Sequence, residues 1–253
     1  MTVPSDASVA PFHLARTLRT ALSAARGRLL FLFVVSAITV GAPEALSNWF
    51  RQNYAPISRA ILGPSPSLPA WLVIGAPATL VFAPAQLVVV GWMNRVLLMA
   101  MAGQPGDLGR DFRYSASRIA RLCLLSLALA AGVTLFTLLF VIPGVVFATA
   151  ACLSVPAMMA EDLRPMEAID RSALLTQGVR WWLFGLGAIS GLGAVVVTDV
   201  TAILSAPHGA HLSAALSSAP ALYLVRPLVA VVSQVVGVAF LTAAYYELAA
   251  GKA

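Results

Sequence analysis

The stretch LFTLLFVIPGVVFATAACLSVPAMMAEDLRPMEAIDRSALLTQGVRWW, from Leu135 to Trp182, decides the fold of this chain. A charge-free apolar run reaches Pro143 and Gly144, and a second apolar run returns from there and ends at Glu161. A charged segment follows, and two tryptophans then open the next apolar run. This order predicts a tight hairpin of two membrane helices that turns at Pro143-Gly144, followed by a helix on the membrane surface.

The composition makes the bilayer the solvent for most of the chain. Of 253 residues, 60% are hydrophobic and only 10% are charged, whereas a soluble domain carries about 25% charged residues. The formal net charge is +6, and in a membrane protein such an excess marks cytoplasmic loops rather than a nucleic-acid site. Cys123 and Cys152 lie in apolar runs without a CxxC spacing, so we interpret them as small buried hydrophobes.

The predicted fold class is all-α, a polytopic bundle of six transmembrane helices with amphipathic interfacial helices. About 20 residues cross a hydrocarbon core of about 30 Å. The six runs that meet this length are Leu29–Leu46, Trp71–Trp92, Leu122–Ile142, Gly144–Ala160, Trp181–Leu204 and Leu228–Ala250. Residues 29–253 are expected to form one membrane domain, and residues 1–28 to form a cytoplasmic segment with a basic amphipathic helix suited to an anionic leaflet. A signal peptide is the alternative for the first run, but the long basic region before it favours an uncleaved span.

The distribution of arginine predicts the orientation. With the N-terminus inside, the inner segments hold 13 Arg and Lys residues and the outer segments hold 3. Positive charge collects on the cytoplasmic side, and an even number of spans returns the chain to that side. We therefore expect a bacterial inner-membrane protein with both termini in the cytoplasm. The expected partners are the lipid bilayer, other membrane proteins or a second copy, and no nucleic acid.

Two inner segments have helical patterns of their own. In residues 103–121 one helical face carries the apolar side chains Leu108, Phe112, Ala116 and Ile119. In residues 161–180, Pro165 suits the first turn of a helix, and Glu167 precedes Arg171 by four residues, which is the favourable order for an ion pair. We expect about three turns along the interface here, with Met166 and Ile169 facing inward.

Residues at the predicted helix starts, helix ends and turns carry a resemblance to a known family. They are Ile142-Pro143-Gly144, Pro156, Glu161, Pro165, Glu167-Ala168, Arg171-Ser172, Leu175-Thr176, Gly178 and Trp181-Trp182, with Tyr245-Tyr246-Glu247-Leu248 near the end. Over roughly residues 90–250 the chain resembles the membrane domain of the glycerophosphoryl diester phosphodiesterase family and related small bacterial integral membrane proteins. The resemblance implies a six-helix membrane domain of unsettled function. Fused members of the family carry a soluble phosphodiesterase barrel after this domain; the present chain ends at Ala253, so the enzymatic name is not expected to transfer.

No motif for catalysis or for a cofactor stands out in the sequence. HExxH, Walker A and GxSxG patterns are absent, and His208 and His211 lack further ligands nearby. The carboxylates of Glu161, Asp162, Glu167 and Asp170 favour a helix N-terminus and ion pairs over a metal or catalytic cluster. We therefore predict no catalytic, metal or cofactor residues.

Asp199 is the charged residue well inside an apolar run, and such residues are functional candidates. It lies 18 residues after Trp181, which is about 27 Å along a helix, so it is expected near the outer end of the fifth span. Arg226 opens the sixth span in the same leaflet. Two hypotheses stay open: Asp199 pairs with Arg226 and ties the two helices together, or it binds a proton or cation during transport.

The preferred function is a non-enzymatic membrane module with a lipid- or partner-related role. A small-solute or ion transporter or channel is the alternative. It would need a polar pathway, for which the sequence offers Asp199, Gln234 and a second helix expected to kink or break at Pro77 and Pro84. A membrane enzyme acting on lipid head groups is the third class, and it would need convergent catalytic side chains at one interface.

Overall fold

The computed structural model describes residues 14–45, 76–104, 106–188 and 220–251. Side chains are described within these ranges except at Leu14, 76–82, 220–224 and Arg226. All regular structure in these ranges is helical, with no strand. The all-α class predicted from the apolar runs is therefore confirmed for the part of the chain that the structure describes.

Ten helices make up the described ranges. They are α1 (Leu14–Arg26), α2 (Leu29–Ser36, continued by a π-helical turn at Ala37–Gly41), α3 (Ala76–Met101), α4 (Leu108–Ala116), α5 (Ile119–Leu139), α6 (Val141–Ala151), α7 (Ser154–Glu161), α8 (Pro165–Leu175), α9 (180–188) and α10 (Pro220–Gly251).

Four of these stretches are long and apolar enough to cross a membrane. They are Ala83–Met101, Ile119–Leu139, Val141–Glu161 and Pro227–Gly251. A fifth is reached only if α1 and Leu29–Ala45 are taken together as one bent span. The chain is thus a membrane protein with four or five described spans. Most of the predicted fifth run lies in residues 189–204, outside the described residues.

The predicted hairpin is α5 followed by α6, but its turn lies three residues earlier than predicted. Phe140 is extended, with φ −160° and ψ 142°, and separates the two helices. Pro143 sits in the first turn of α6, where its missing N–H costs nothing. The rings of Phe136 and Phe147 lie 5.2 Å apart between centroids, as antiparallel helices require.

Position 144 requires glycine because α5 and α6 pack closely there, and not because the chain turns there. A Cβ at Gly144 would collide with the Thr137 hydroxyl and come within 2.9 Å of the Thr137 Cα. A Cβ at Gly132 would meet the Phe147 ring at 2.5 Å. Small residues let the backbones of membrane helices approach in this way, so the expected role of Gly144 in closing the turn is wrong.

Two prolines lie inside helices. Helix α3 runs through Pro84 without interruption, so the expected break is wrong there, and the alternative of a kink at Pro77 and Pro84 stays a prediction. Helix α10 begins at Pro220, so Pro227 is inside the helix and not in its first turn. Membrane helices tolerate an internal proline because neighbouring helices and side chains can satisfy the freed backbone groups.

Helix α8 packs against α5, α6 and α7, and its three turns confirm the predicted length. Its buried face is formed by Pro165, Ala168, Ser172 and Leu175. Met166 is exposed and Ile169 is only partly covered, so the predicted inward face is wrong. Small and hydroxylic residues on this face allow the helix to approach the hairpin closely, and Met166 and Leu174 are left on its outer side.

The chain divides into two compact units. One contains residues 1–28, 90–187 and 237–253; its core includes Met93, Leu97, Leu122 and Met158. The other contains residues 29–89 and 188–236. In this second unit a Cβ at Gly41 would lie 3.0 Å from Val231, so α2 and the first part of α10 are in close contact.

The close approach in the hairpin can be tested with Gly144→Ala. The added methyl group must push α5 and α6 apart, and overpacking of this kind costs about 1–3 kcal/mol. We expect a melting temperature several degrees lower in detergent. The control is Gly185→Ala in α9, where a Cβ meets nothing within 4 Å and where alanine favours the helix. Equal losses in both variants would contradict close packing at Gly144.

Candidate functional site: the charged cluster at the end of α7

The first unit concentrates its charged contacts where α7 ends. We call Glu161, Asp162 and the side chains that bind them the α7 cluster. Asp162 adopts the left-handed conformation, with φ 54° and ψ 36°, and is the non-glycine residue with positive φ among the described residues. Aspartate tolerates this conformation better than most residues. The sharp turn directs two consecutive carboxylates toward different helices.

Asp162 binds two arginines at the start of α5. Its Oδ1 accepts a hydrogen bond from Arg118 Nε at 2.8 Å and another from an Arg121 guanidinium N–H at 2.9 Å. The hydrogen bond from Arg118 lowers the pKa of the Asp162 carboxyl, and the same bond raises the pKa of Arg118. The carboxylate therefore stays ionised and paired, although its side chain is 52% exposed.

Glu161 binds partners on α8 and α10. Its Oε1 accepts from Arg171 Nε at 2.9 Å and from the Tyr245 hydroxyl at 2.6 Å. One carboxylate oxygen thus joins the end of α7 to two helices that lie 10 and 84 residues further along the chain. Charge-assisted hydrogen bonds of this kind are shorter and stronger than neutral ones.

Arg95 of α3 reaches the same helix end from another side. Its guanidinium donates to the Met159 carbonyl at 3.0 Å and lies 4.3 Å above the centre of the Tyr114 ring. Arg118 lies 3.5 Å from the same ring centre. Tyr114 of α4 therefore carries two cation–π contacts, which link α3, α4 and α5 at the end of α7.

Helix α4 turns polar side chains toward this cluster. Asp111 is 2% exposed, and its Oδ1 lies 3.9 Å from Arg95 Nε, which is an ion pair longer than a hydrogen bond. Asp111 Oδ2 and the buried Ser115 hydroxyl have no hydrogen-bond partner among the described residues. The described residues thus satisfy the buried polar groups of α4 incompletely.

Two further polar contacts tie α10 to the N-terminal helices. Glu247 accepts hydrogen bonds from the hydroxyls of Thr17, at 2.7 Å, and Thr20, at 3.0 Å. The hydroxyl of Thr242 lies 2.7 Å from Asn94 Oδ1 in a buried contact between α10 and α3. Polar contacts such as these fix the position of helices that have few large side chains between them.

Ser172 repairs the break between α6 and α7. Pro156 cannot donate a hydrogen bond and its ring clashes with the carbonyl four residues before it, so the helix is interrupted at Cys152 and Leu153. The Ser172 hydroxyl accepts from the Leu153 N–H at 3.0 Å and donates to the Ala150 carbonyl at 2.7 Å. One side chain of α8 thus bonds to a backbone N–H and to a backbone carbonyl next to the break.

The family-like residues mostly have structural roles in this arrangement. Pro165 opens α8, and the Glu167 carboxylate accepts from the Arg164 N–H at 2.9 Å, so it caps the helix. The predicted pair of Glu167 with Arg171 does not form, because Arg171 binds Glu161 instead. Gly178 has φ +88°, a backbone conformation in which a side chain would be strained. Thr176 ends α8, and its hydroxyl donates back to the Ser172 carbonyl at 2.9 Å.

Other predicted positions lie outside what the structure describes. Asp199 belongs to the residues after 188, and the side chain of Arg226 is not described. Their pairing stays a prediction. His208 and His211 also fall outside the described residues. Within the described ranges, no three His, Cys, Asp or Glu side chains are grouped so that they could hold a metal ion.

The sequence analysis missed two members of the cluster, Arg118 and Arg121, and the neighbouring Arg95. The arginines that bind Asp162 are 41 and 44 residues away from it, and Arg95 is 64 residues from Met159. Each lies at the end of an apolar run, which is a signal for a membrane boundary but not for a particular partner.

Comparison with protein-family models, with curated proteins and with solved structures gives no match to this chain. The resemblance to the phosphodiesterase membrane domain is therefore neither supported nor opposed by these comparisons, and it stays a prediction.

The pairing of Asp162 predicts a pH-dependent contribution to stability. Because the folded-state pKa lies below the ordinary value of 3.8, the contribution is fully present above that value and is lost as the pH falls through the folded-state pKa. At this half-exposed position it is at most about 1 kcal/mol. Asp162→Asn should lower the melting temperature at pH 7, and its difference from wild type should shrink on acidification. Asp170→Asn, an exposed change of the same charge, is the control; an equal loss there would contradict the pairing.

The repair of the helix break can be tested with Ser172→Ala. The change leaves the buried Leu153 N–H without its partner, which costs about 1–3 kcal/mol, and the Ala150 carbonyl keeps only the 3.5 Å contact with the Thr176 hydroxyl. We expect a clear loss of thermal stability and faster hydrogen exchange at Leu153. Ser126→Ala is the matched control, because the Ser126 hydroxyl bonds only to Cys123 in its own helix. If Ser172→Ala leaves the thermal stability unchanged, the backbone groups at the break have other partners and the proposed role of Ser172 is wrong.

Proposed function

We propose that this chain is a bacterial inner-membrane protein with six spans and both termini in the cytoplasm, related to the phosphodiesterase membrane domain that it resembles. Its function is that of a non-enzymatic membrane module with a lipid- or partner-related role at the cytoplasmic face. Four described spans and the two predicted apolar runs Leu29–Leu46 and Trp181–Leu204 supply six.

The observation that carries the non-enzymatic proposal is the state of the carboxylates in the α7 cluster. Glu161 and Asp162 would be the natural acid and base of an enzyme at this interface. Each is held by arginine at 2.8–2.9 Å, and Asp162 has a lowered pKa. A general base is most effective when its pKa is near the operating pH. These carboxylates instead have the properties of a clamp between helix ends.

One observation on which the transport hypothesis was based is not found. The hypothesis drew on a broken second helix, and α3 runs through Pro84 without interruption. Asp199 remains its main candidate. A charge swap that places arginine at 199 and aspartate at 226 distinguishes the two hypotheses, because a structural pair should recover the stability lost in each single variant, whereas a transport site should not.

Reporter fusions test the proposed orientation. A reporter joined after Gly106 and another joined after Lys252 should both be active only in the cytoplasm, because the inner segments hold most of the arginines. Gly106 lies just before α4, so the first fusion reports directly on the side of the α7 cluster. Periplasmic activity at either position would contradict the six-span orientation. The control is a fusion at Pro56, which lies between the first two predicted spans and therefore on the predicted outer side. This reporter should be active only in the periplasm.

A further inference from the structure

Helix α4 is oriented with its polar face toward the protein and its apolar face outward. Asp111 and Ser115 are buried, while Leu108 and Phe112 are each 41% exposed. A surface helix in water has the opposite orientation, with apolar residues facing the core. The cost of burying polar groups here is not repaid by hydrogen bonds, because Asp111 Oδ2 and the Ser115 hydroxyl have no partner among the described residues. The outer face of α4 therefore presents partly exposed large apolar side chains.

Helix α1 repeats this arrangement. Its buried face consists of Thr17, Ala21 and Ala25, and Leu18 and Leu22 are exposed one turn apart. The helix is fixed in this orientation by the hydrogen bonds from Thr17 and Thr20 to Glu247. The larger apolar side chains of both helices thus point away from the first unit.

Ten of the twelve arginines of the first unit fall into two groups. Those near the α7 cluster are engaged: Arg95, Arg118, Arg121 and Arg171 each bind a carboxylate or a carbonyl. Those on and beside the two outward-facing helices, namely Arg16, Arg19, Arg26, Arg28, Arg110 and Arg113, have no ion pair or hydrogen bond from their side chains to a described residue. The nearest acids have other partners: Asp107 accepts hydrogen bonds from the Gly109 and Arg110 N–H groups, and Asp111 is buried beside Arg95.

The two faces belong to one surface. The guanidinium of Arg28, which follows α1, lies within 3 Å of the position that a Cβ of Gly106 would occupy, just before α4. On its other side α4 is held by Trp92, whose indole N–H donates to the Leu108 carbonyl at 3.0 Å and whose ring meets Phe112 edge-on at 5.1 Å.

We propose that the exposed faces of α1 and α4 form a docking surface for anionic phospholipid head groups of the leaflet in which the protein is embedded. This inference rests on the proposed lipid-related role and names the lipid class. Unpaired arginines attract anionic head groups, and the apolar residues between them enter the boundary of the acyl chains. Helix α4 is followed directly by the span Ile119–Leu139, so the chain connectivity holds this surface near head-group depth.

The test compares lipid binding by the purified full-length protein and by Arg110→Gln/Arg113→Gln. Native mass spectrometry measures the retention of phosphatidylglycerol and of phosphatidylcholine. Wild type should retain phosphatidylglycerol preferentially, and the variant should bind it about fivefold more weakly for each arginine removed, with phosphatidylcholine unchanged. The matched control, Arg51→Gln/Arg59→Gln, removes the same charge from a segment predicted to face the other side and should behave like wild type. Arg110→Lys/Arg113→Lys should restore most of the preference.

A second measurement follows the apolar side of the surface. A polarity-sensitive fluorophore is placed at Leu22→Cys in a chain with alanine at both native cysteine positions. Its emission should shift to shorter wavelength in nanodiscs that contain phosphatidylglycerol relative to those of phosphatidylcholine alone. Equal retention of both lipids by wild type, or unchanged binding in the glutamine variant, would overturn the proposal. Emission that responds to an acidic protein but not to lipid would also overturn it. The reporter fusions are independent of these results, so a failure here leaves the proposed topology standing.

Discussion

The structure depends on the need to satisfy every backbone polar group inside a medium that offers no hydrogen bonds. The stretch from Val141 to Glu161 cannot meet this need by itself, because Pro156 interrupts it at Cys152 and Leu153. The Ser172 hydroxyl closes the gap from a neighbouring helix. Helix α8 is therefore required by the span it lies against, and its small buried residues follow from how closely it must approach. The orientation of α8 in turn sets where Arg171 reaches Glu161.

Arginine has two different functions in this unit, and the surroundings of each side chain decide between them. Near the end of α7, guanidinium groups meet carboxylates, a carbonyl and the face of Tyr114, so they hold helix ends together. On α1 and α4 the guanidinium groups meet no such partner among the described residues, and exposed leucine and phenylalanine side chains lie beside them. A protein that is anchored by its spans can leave this second group for the lipid, because the membrane is always present at that depth.

The hydrophobic runs and the proline, glycine and charged residues between them predicted the helical class, the hairpin and the three turns of α8. Span length and helix breaks are local properties of the sequence. The turn was placed at Pro143-Gly144 rather than at Phe140, since a proline can equally begin a helix. The inward face of α8 was missed because the prediction followed the large apolar residues Met166 and Ile169, whereas close packing selects Ala168 and Ser172. Three of the four contacts of the α7 cluster join residues 41 to 84 positions apart, and a single sequence contains no signal for such pairings.

The order Glu161-Asp162 at the end of α7 follows from geometry. The residue after the helix must turn in the left-handed conformation, which aspartate accepts and glutamate accepts less readily. A glycine at 162 would turn equally well but would leave Arg118 and Arg121 without their shared carboxylate. The preceding residue must reach both Arg171 and Tyr245 from within the helix, and the longer side chain of glutamate provides this reach. Two adjacent acids that resemble a catalytic pair in the sequence are thus separated by the backbone turn into two independent clamps.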